Sequence, residues 1–275
     1  YEHTQKLGNS LREIATEKAG IIKSPRAPES QGSRVAGSLG HRVTVISAPQ
    51  EKEALGVIRN RCIEVGAKLY EVNKDIFYEK AQKGFNLMGI FGEYPNLELR
   101  LLGEHQTVNA SVAVAVVEAM RFYNIHIDSN AIREGLYNAV WPGRCEVVSG
   151  DPLVVLDGAQ NVASTGVLKK AVKESFKYQK IILVLGVSCD KDIKGICGQL
   201  YGLADTVILT KANHPRAAAP EALAEYFKAK KAYITGSVEE AINLANRIAK
   251  REDLILVCGS LFVVGESRTL FKGAG

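Results

Sequence analysis

Short, uninterrupted apolar runs recur through the second half of the chain and alternate with segments of helical spacing. The runs are "PLVVLD" (152–157), "KIILVLGV" (180–187), "DTVILT" (205–210), "KAYIT" (231–235) and "DLILVCG" (253–259). Between the last two, "SVEEAINLANRIAKRE" places apolar residues such as Val238, Ile242 and Ala245 on one helical face. Continuous apolar strands alternating with amphipathic helices predict an α/β fold with a mostly parallel sheet covered on both faces.

Three polar segments directly follow predicted strands. They are "LDGAQN" (156–161), "GVSCDKD" (186–192) and "TKANHPRA" (210–217). In open α/β sheets, ligands bind in the crevice beyond the carboxyl ends of the strands. These segments are therefore candidate sites by position, before any motif is considered.

The first half of the chain has a less regular pattern. The stretch "NSLREIATEKAG" predicts a helix that is capped by Asn9 or Ser10 and ends before Gly20. Beyond it we expect a strand ("HRVTVISA"), an amphipathic helix, a hairpin with its turn near Pro95-Asn96, and two more helices. The Pro-Gly pair in "WPGR" (141–144), which interrupts regular secondary structure, then predicts a linker into the second half.

Length and composition narrow the classes of protein. The chain has 275 residues, enough for two domains, and its net charge of +5 suits anionic small molecules without indicating nucleic acid. No apolar run approaches the roughly 18 residues of a membrane span, and the first residues do not form a signal peptide. Five dispersed cysteines without a C-x-x-C pair suggest reduced thiols in a cytoplasmic protein.

Several familiar ligand motifs are absent from the sequence. No G-x-G-x-x-G follows a predicted strand, so the motif of dinucleotide-binding folds is absent. No G-x-x-x-x-G-K-[ST] supplies a phosphate-binding loop either. Gly-x-Ser-x-Gly and H-E-x-x-H are also missing. The α/β layout alone leaves the function open.

A series of short segments carries more information than any one motif. In order they are "EHT…LG…IATEKAGIIK" (2–23), "LLGEHQTVNA" (101–110), "WPGRCEVV" (141–148), "VVLDGAQN" (154–161), "GVSCDKD" (186–192), "ADTVILTKANHPRA" (204–217) and "GSLFVVGE" (259–266). Together they resemble the folylpolyglutamate synthase/dihydrofolate synthase family of the Mur ligase superfamily. The resemblance extends from about Tyr1 to Arg268, and "EKAGIIK" and "GSLFVVGE" are its most specific segments.

The resemblance implies a domain organisation. It predicts the C-terminal part of a Mur-ligase central ATPase domain over residues 1–140, a linker over 141–145, and a Rossmann-like C-terminal domain over 146–275. Because the family's phosphate-binding loop is not in this sequence, the chain is expected to be a fragment with weak or no activity alone.

The resemblance also implies a reaction, the ATP-dependent addition of glutamate to a folate or dihydropteroate carboxylate. In the family, the carboxylate takes the γ-phosphate of ATP, and glutamate then attacks the acyl phosphate. Such a reaction needs Mg²⁺ and cations around the transferring phosphoryl group. The expected partners are small molecules only, and the expected protein is a monomer.

Two predicted site residues concern the metal ion. His3 stands where the family has a metal-binding histidine, and an imidazole can ligate a divalent ion through a neutral ring nitrogen. Lys18 matches a lysine that the family carries as a carbamate, an anion able to help to position magnesium. The alternatives are a solvated terminal histidine and a surface lysine paired with Glu13 or Glu17.

Four further residues are predicted to contact the nucleotide. Gln106 and Asn109 share a helical face and match a block that the family uses near the base, although they could instead form a capping cluster. Arg144 matches a linker arginine that reaches phosphate, which suits its planar guanidinium. Asp157 ends a strand where the family has a nucleotide-contacting aspartate. It could accept ribose hydroxyls or position a basic partner, or simply cap the following helix.

Gln160 and Asp190 are the remaining catalytic candidates. Gln160 replaces the histidine of the family's Asp-Gly-Ala-His-Asn, and glutamine keeps the hydrogen bonding of imidazole but not its charge. Asp190, with Lys191 and Asp192, follows the second strand. It is expected to contact the entering glutamate or to form a salt bridge on domain closure; the alternative is a solvated run of charges. We place His214, Arg216 and Ser260 near the same crevice.

Two other classes of function compete with the ligase. One is a non-catalytic module in which Gln160 marks lost chemistry, and the other is an α/β oxidoreductase, disfavoured by the missing dinucleotide loop. A related Mur-type ligase with another amino acid is also compatible with the sequence. Binding of Mg-ATP, of NAD(P) or of neither would separate these classes.

Overall fold

A computed structural model describes residues 8, 10–24 and 43–272 and divides them into two compact units. The first unit takes in the described residues up to Arg100, together with His105–Ala139. The second takes in Leu101–Glu104 and the described residues from Val140 onward. Each unit has hydrophobic clusters of its own and is described separately.

The first unit contains four helices and two small sheets among its described residues. The helices are α1 (Leu11–Ala19), α2 (Lys52–Val65), α3 (His105–Ala119), which a 3-10 helix extends over Met120–Tyr123, and α4 (Ser129–Tyr137). A parallel pair joins β1 (Thr44–Ser47) to β2 (Lys68–Glu71), and an antiparallel sheet contains β3 (Phe77–Lys80), β4 (Phe85–Met88) and β5 (Glu93–Leu97).

Local sequence explains where these elements begin and end. Ser10 caps α1 in a reciprocal capping box with Glu13, as predicted, and Gly20 ends the helix. The predicted hairpin forms, but its turn lies at Ile90–Phe91 between β4 and β5. The position predicted for the turn is therefore wrong, because Pro95 and Asn96 lie within β5. As an edge strand of its sheet, β5 tolerates a proline that a central strand would exclude.

The second unit is built around a six-stranded sheet in the order β10-β9-β8-β11-β7-β6. Its strands are β6 (Glu146–Gly150), β7 (Leu153–Leu156), β8 (Ile181–Leu185), β9 (Thr206–Leu209), β10 (Lys231–Ile234) and β11 (Leu254–Cys258). All neighbours pair in parallel except β6 and β7. The mostly parallel sheet is thus confirmed, and the antiparallel edge strand β6 is an addition that the apolar pattern did not predict.

Helices cover both faces of this sheet. They are α5 (Val162–Ser175), α6 (Ile193–Tyr201), α7 (Pro220–Ala224), α8 (Val238–Ile248) and α9 (Leu261–Lys272). Alternate strand residues point to opposite faces, so Val155 belongs to the hydrophobic cluster that includes residues of α5, α6 and α7, whereas Leu156 belongs to the cluster that includes residues of α8 and α9. Within the described ranges, no helix combines the length and the apolar character that crossing a membrane requires.

Candidate functional site

The strand order of the second unit brings three predicted segments to one edge of the sheet. Strand β11 lies between β7 and β8, so the turns that follow these strands are neighbours. Gly259, after β11, donates its N–H to the carbonyl of Ala159 at 2.9 Å. Its φ is +100°, and a Cβ there would lie 2.6 Å from the Gly186 carbonyl oxygen. Only glycine fits where the backbones approach so closely.

Asp157 is buried at this edge, and backbone groups bind both of its carboxylate oxygens. Oδ2 accepts the N–H of Cys145 at 2.9 Å, and Oδ1 accepts the N–H of Ala159 at 2.8 Å. Burial raises the pKa of Asp157, and the two backbone hydrogen bonds and Arg144 oppose that rise. The capping alternative is wrong, because Asn161 caps α5 and accepts the N–H of Ser164 at 2.7 Å.

Arg144 lies against the turn that Asp157 begins. The residues on either side of it, Gly143 and Cys145, have φ values of +70° and +44°. A Cβ on Gly158 would lie 2.6 Å from Nη1 of Arg144, so the absent side chain makes room for the guanidinium. Among the described residues, its only hydrogen bond is a long contact of 3.4 Å from Nη1 to the Gly143 carbonyl. Most donors of a half-buried guanidinium therefore remain available to an anion.

Gln160 follows this turn and is partly buried. Its backbone N–H donates to Oγ of Ser164 at 3.1 Å, whereas its side-chain amide makes no hydrogen bond to the described residues. The amide can thus meet a ligand without breaking a bond. The effect of an amide in place of the family's imidazole stays a prediction.

We call Gly143–Glu146 with Asp157–Ala159 the Asp157 corner, and Asp190, His214, Arg216 and Phe262 the Asp190 corner. In the Asp190 corner several side chains contact one another, and the backbone N–H of Arg216 donates to Nδ1 of His214 at 3.2 Å. His214 stacks on Phe262 with ring centres 3.7 Å apart, and the Arg216 guanidinium lies 5.6 Å from the same ring. Arg216 also faces Asp190 across 3.7 Å. This ion pair lies within the second unit, so the predicted closure salt bridge and the contact with glutamate both stay predictions.

Two other predicted residues of this edge have local roles. Asp192 caps α6 by accepting the N–H of Gly195 at 2.8 Å. Ser260 is buried, and its Oγ accepts the N–H of Phe262 at the start of α9 at 3.2 Å. Helix capping accounts for both side chains without a ligand.

The remaining predicted residues belong to the first unit. Asn109 donates from Nδ2 to Oε1 of Gln106 at 3.0 Å, and Nε2 of Gln106 lies 3.0 Å from Nε2 of His105. The predicted pair therefore forms, with Gln106 buried and Asn109 exposed. Lys18 is exposed in the last turn of α1 and has no ion pair with a described residue, while His3 lies outside the described residues.

The predicted metal site depends in part on His3, which lies outside the described residues. Among them, no group of three or more His, Cys, Asp and Glu side chains is arranged to hold a metal ion. The assignments of His3 and Lys18 to a metal, and of the other residues to nucleotide or glutamate, stay predictions.

Sequence reasoning overlooked one polar contact of the Asp157 corner. Glu146 accepts the N–H of Gly143 at 2.8 Å, and Nε of Arg268 donates to its two carboxylate oxygens at 2.8 and 3.0 Å. The proximity of Glu146 to Arg144 in "GRCE" was the only available signal. Nothing in the pattern linked it to Arg268, 122 residues away.

This chain is similar in sequence to known proteins. Residues 143–261 match the family model of the Mur ligase glutamate ligase domain. The dihydrofolate synthase/folylpolyglutamate synthase of Bacillus subtilis (strain 168) is 28% identical over 278 residues, which cover 99% of this chain and 61% of the relative. A probable bifunctional folylpolyglutamate synthase/dihydropteroate synthase of Halobacterium salinarum is 33% identical, over 98% of this chain and 31% of the relative.

Solved structures are similar to this chain over nearly its whole length. E. coli FolC in complex with DHPP and ADP superposes with a TM-score of 0.82 and 28% identity, covering 100% of this chain and 60% of that one. The Yersinia pestis CO92 folylpolyglutamate synthase/dihydrofolate synthase complexed with AMPPNP and Mn ion has a TM-score of 0.79 and 26% identity, over 98% and 59%. The chain spans about three fifths of the length of these two proteins and of the Bacillus relative.

Proposed function

We propose that the chain is part of a ligase, because residues 143–261 match the family model of the Mur ligase glutamate ligase domain and nearly the whole chain is similar to folylpolyglutamate/dihydrofolate synthases. The proposed reaction is the ATP-dependent addition of glutamate to a folate or dihydropteroate carboxylate. The named relatives favour glutamate over the amino acids of other Mur-type ligases. We infer that the protein acts in the cytoplasm as a monomer, in keeping with its five free cysteines.

One observation of the Asp157 corner supports a nucleotide partner. The Arg144 guanidinium is half-buried and lies next to Gly158. Among the described residues it makes a single hydrogen bond, which is long. A guanidinium group is always charged and planar, and its free N–H donors can bind two phosphate oxygens at once. We therefore assign Arg144 to the phosphates, and Asp157 to holding the backbone beside it.

Complexes of the relatives with ADP, and with AMPPNP and manganese, support ATP and a divalent cation as requirements of the proposed ligase. ATP supplies the phosphoryl group that activates the carboxylate. Since the described residues do not form a metal site, we assign them no step that runs through the metal.

Nucleotide titration of the 275-residue chain tests the proposal. We expect calorimetry to detect Mg-ADP and Mg-ATP and not NADP⁺, and we expect Arg144→Ala to weaken ADP binding about tenfold or more, as for a lost charge-assisted hydrogen bond. Arg251→Ala, which breaks an exposed ion pair of the same unit, is the matched control and should leave the affinity unchanged. Preference for NADP⁺, or equal affinities of wild type and Arg144→Ala, would refute the assignment.

A further inference from the structure

The ion pair between Glu146 and Arg268 connects the last helix of the second unit to the start of strand β6. Nε of Arg268 donates to both oxygens of Glu146, and the two side chains are only 17% and 24% exposed for Glu146 and Arg268 respectively. Partial burial, and one Nε–H shared between the two carboxylate oxygens at 2.8 and 3.0 Å, distinguish such a pair from a mobile surface contact. The carboxylate is therefore held in one place.

That fixed carboxylate in turn holds the residue before Arg144. Oε2 of Glu146 accepts the Gly143 N–H at 2.8 Å, and the Gly143 carbonyl accepts the Gly158 N–H at 2.8 Å. On the other side of Arg144, the Cys145 N–H is bound by Asp157. Both neighbours of Arg144 are thus tied by hydrogen bonds, although Arg144 itself contributes only a long one.

The backbone around Arg144 needs this support. Cys145 has a φ of +44°, a left-handed conformation that costs a residue with a Cβ about 1 kcal/mol or more. Such a conformation persists when the surrounding contacts determine it. If the Gly143 N–H lost its acceptor, the segment could relax, and the direction of the Arg144 side chain would change with it.

We propose that Glu146 and Arg268 are positioning residues for Arg144: their ion pair fixes the Gly143 amide and so directs the guanidinium toward the phosphates of a nucleotide. The proposal rests on the proposed function, because it assumes that Arg144 contacts phosphate. It predicts that Glu146 influences phosphate binding only through Arg144.

A double-mutant cycle in the 275-residue chain separates this role from a general structural one. We expect Glu146→Ala to weaken Mg-ADP binding about fivefold and to leave adenosine, which has no phosphate, unaffected. In an Arg144→Ala background, Glu146→Ala should have no further effect on ADP. Glu146→Gln keeps an acceptor for the Gly143 N–H and should fall between wild type and Glu146→Ala; it replaces Glu146→Ala in the cycle if that variant does not fold. Arg251→Ala is the control.

Two results would overturn the proposal. One is an additive loss in the double variant, and the other is an equal weakening of adenosine and ADP, because both would indicate a structural effect that bypasses Arg144. Hydrogen–deuterium exchange of the segment 143–145 provides a measurement without nucleotide, and faster exchange in Glu146→Ala is expected. Absence of ADP binding by wild type would refute the proposed function, whereas unchanged exchange would refute the positioning role by itself.

Discussion

The Asp157 and Asp190 corners lie at the same edge of one sheet, yet they are held in different ways. In the first, a buried carboxylate accepts two backbone N–H groups at 2.8 and 2.9 Å. In the second, an aspartate whose side chain is 39% exposed faces an arginine across 3.7 Å, and the rings of His214 and Phe262 stack with their centres 3.7 Å apart.

The difference indicates which corner is preorganised. A buried acceptor that binds backbone donors cannot move without leaving those donors unsatisfied, so the Asp157 corner keeps its geometry before any ligand arrives. Exposed ion pairs and stacked side chains can rearrange at little cost. We therefore expect the Asp157 corner to tolerate substitution poorly and the Asp190 corner to tolerate it well.

The largest expected difference between the two corners is the loss of stability when the aspartate of each is replaced by alanine. Asp157→Ala leaves two buried N–H groups without acceptors and should lower the free energy of unfolding by about 3 kcal/mol. Asp190→Ala should lower it by about 0.5 kcal/mol or less, as for an exposed pair. Urea denaturation monitored by circular dichroism measures both, with Asp157→Asn as an intermediate variant. Equal losses at the two positions would contradict the distinction between the corners.

One cysteine lies in the Asp157 corner and another lies next to the Asp190 corner, and their burial differs. Burial raises the pKa of Cys145 to about 12, while Cys189, beside Asp190, is exposed. Because the thiolate is the reactive form, iodoacetamide at pH 8 should label Cys189 at least about a hundredfold faster than Cys145.

Peptide mass spectrometry of the native protein follows both labelling rates. Labelling in urea is the control, and there the rates should converge. Comparable native rates would mean that the Asp157 corner opens readily, contrary to its proposed rigidity.

Much of the second unit could be predicted from the sequence because its signal is local. Each parallel strand is a continuous apolar run, and all five predicted strands are present. The edge strand β6 lacks such a run: "EVVSG" is half-exposed and has a polar end. The hairpin turn was misplaced because Pro95-Asn96 has turn chemistry, whereas the actual turn is held from a distance, by Glu118, which accepts the N–H groups of Ile90 and Phe91.

The candidate site, too, could be predicted only where its contacts are local in the sequence. Gln106 and Asn109 are three residues apart, so their shared helical face could be predicted, and their hydrogen bond is observed. Strand order was needed to bring the Asp157 turn beside Gly259. Contacts such as Glu146 with Arg268, or His214 with Phe262, join distant segments through tertiary packing, and no sequence period encodes them.

The smallest expected contrast is a pH dependence confined to the Asp157 corner. Burial raises the folded-state pKa of Asp157, while hydrogen bonds and Arg144 offset part of the rise. The folded state then binds the proton more tightly than the unfolded state, so stability falls as the pH rises from the ordinary aspartate pKa of 3.8 through the raised folded-state value.

Asp157→Asn removes this titration and supplies the reference. The unfolding free energy of wild type minus that of Asp157→Asn should decline with rising pH across this interval, and level off above it. The decline should be smaller than the loss in Asp157→Ala, because the charged form keeps both backbone donors. Urea titrations between pH 3 and pH 8 measure it. A difference that grows with pH would instead mean that the two N–H groups and Arg144 outweigh burial, so that the corner is built to hold a charged carboxylate.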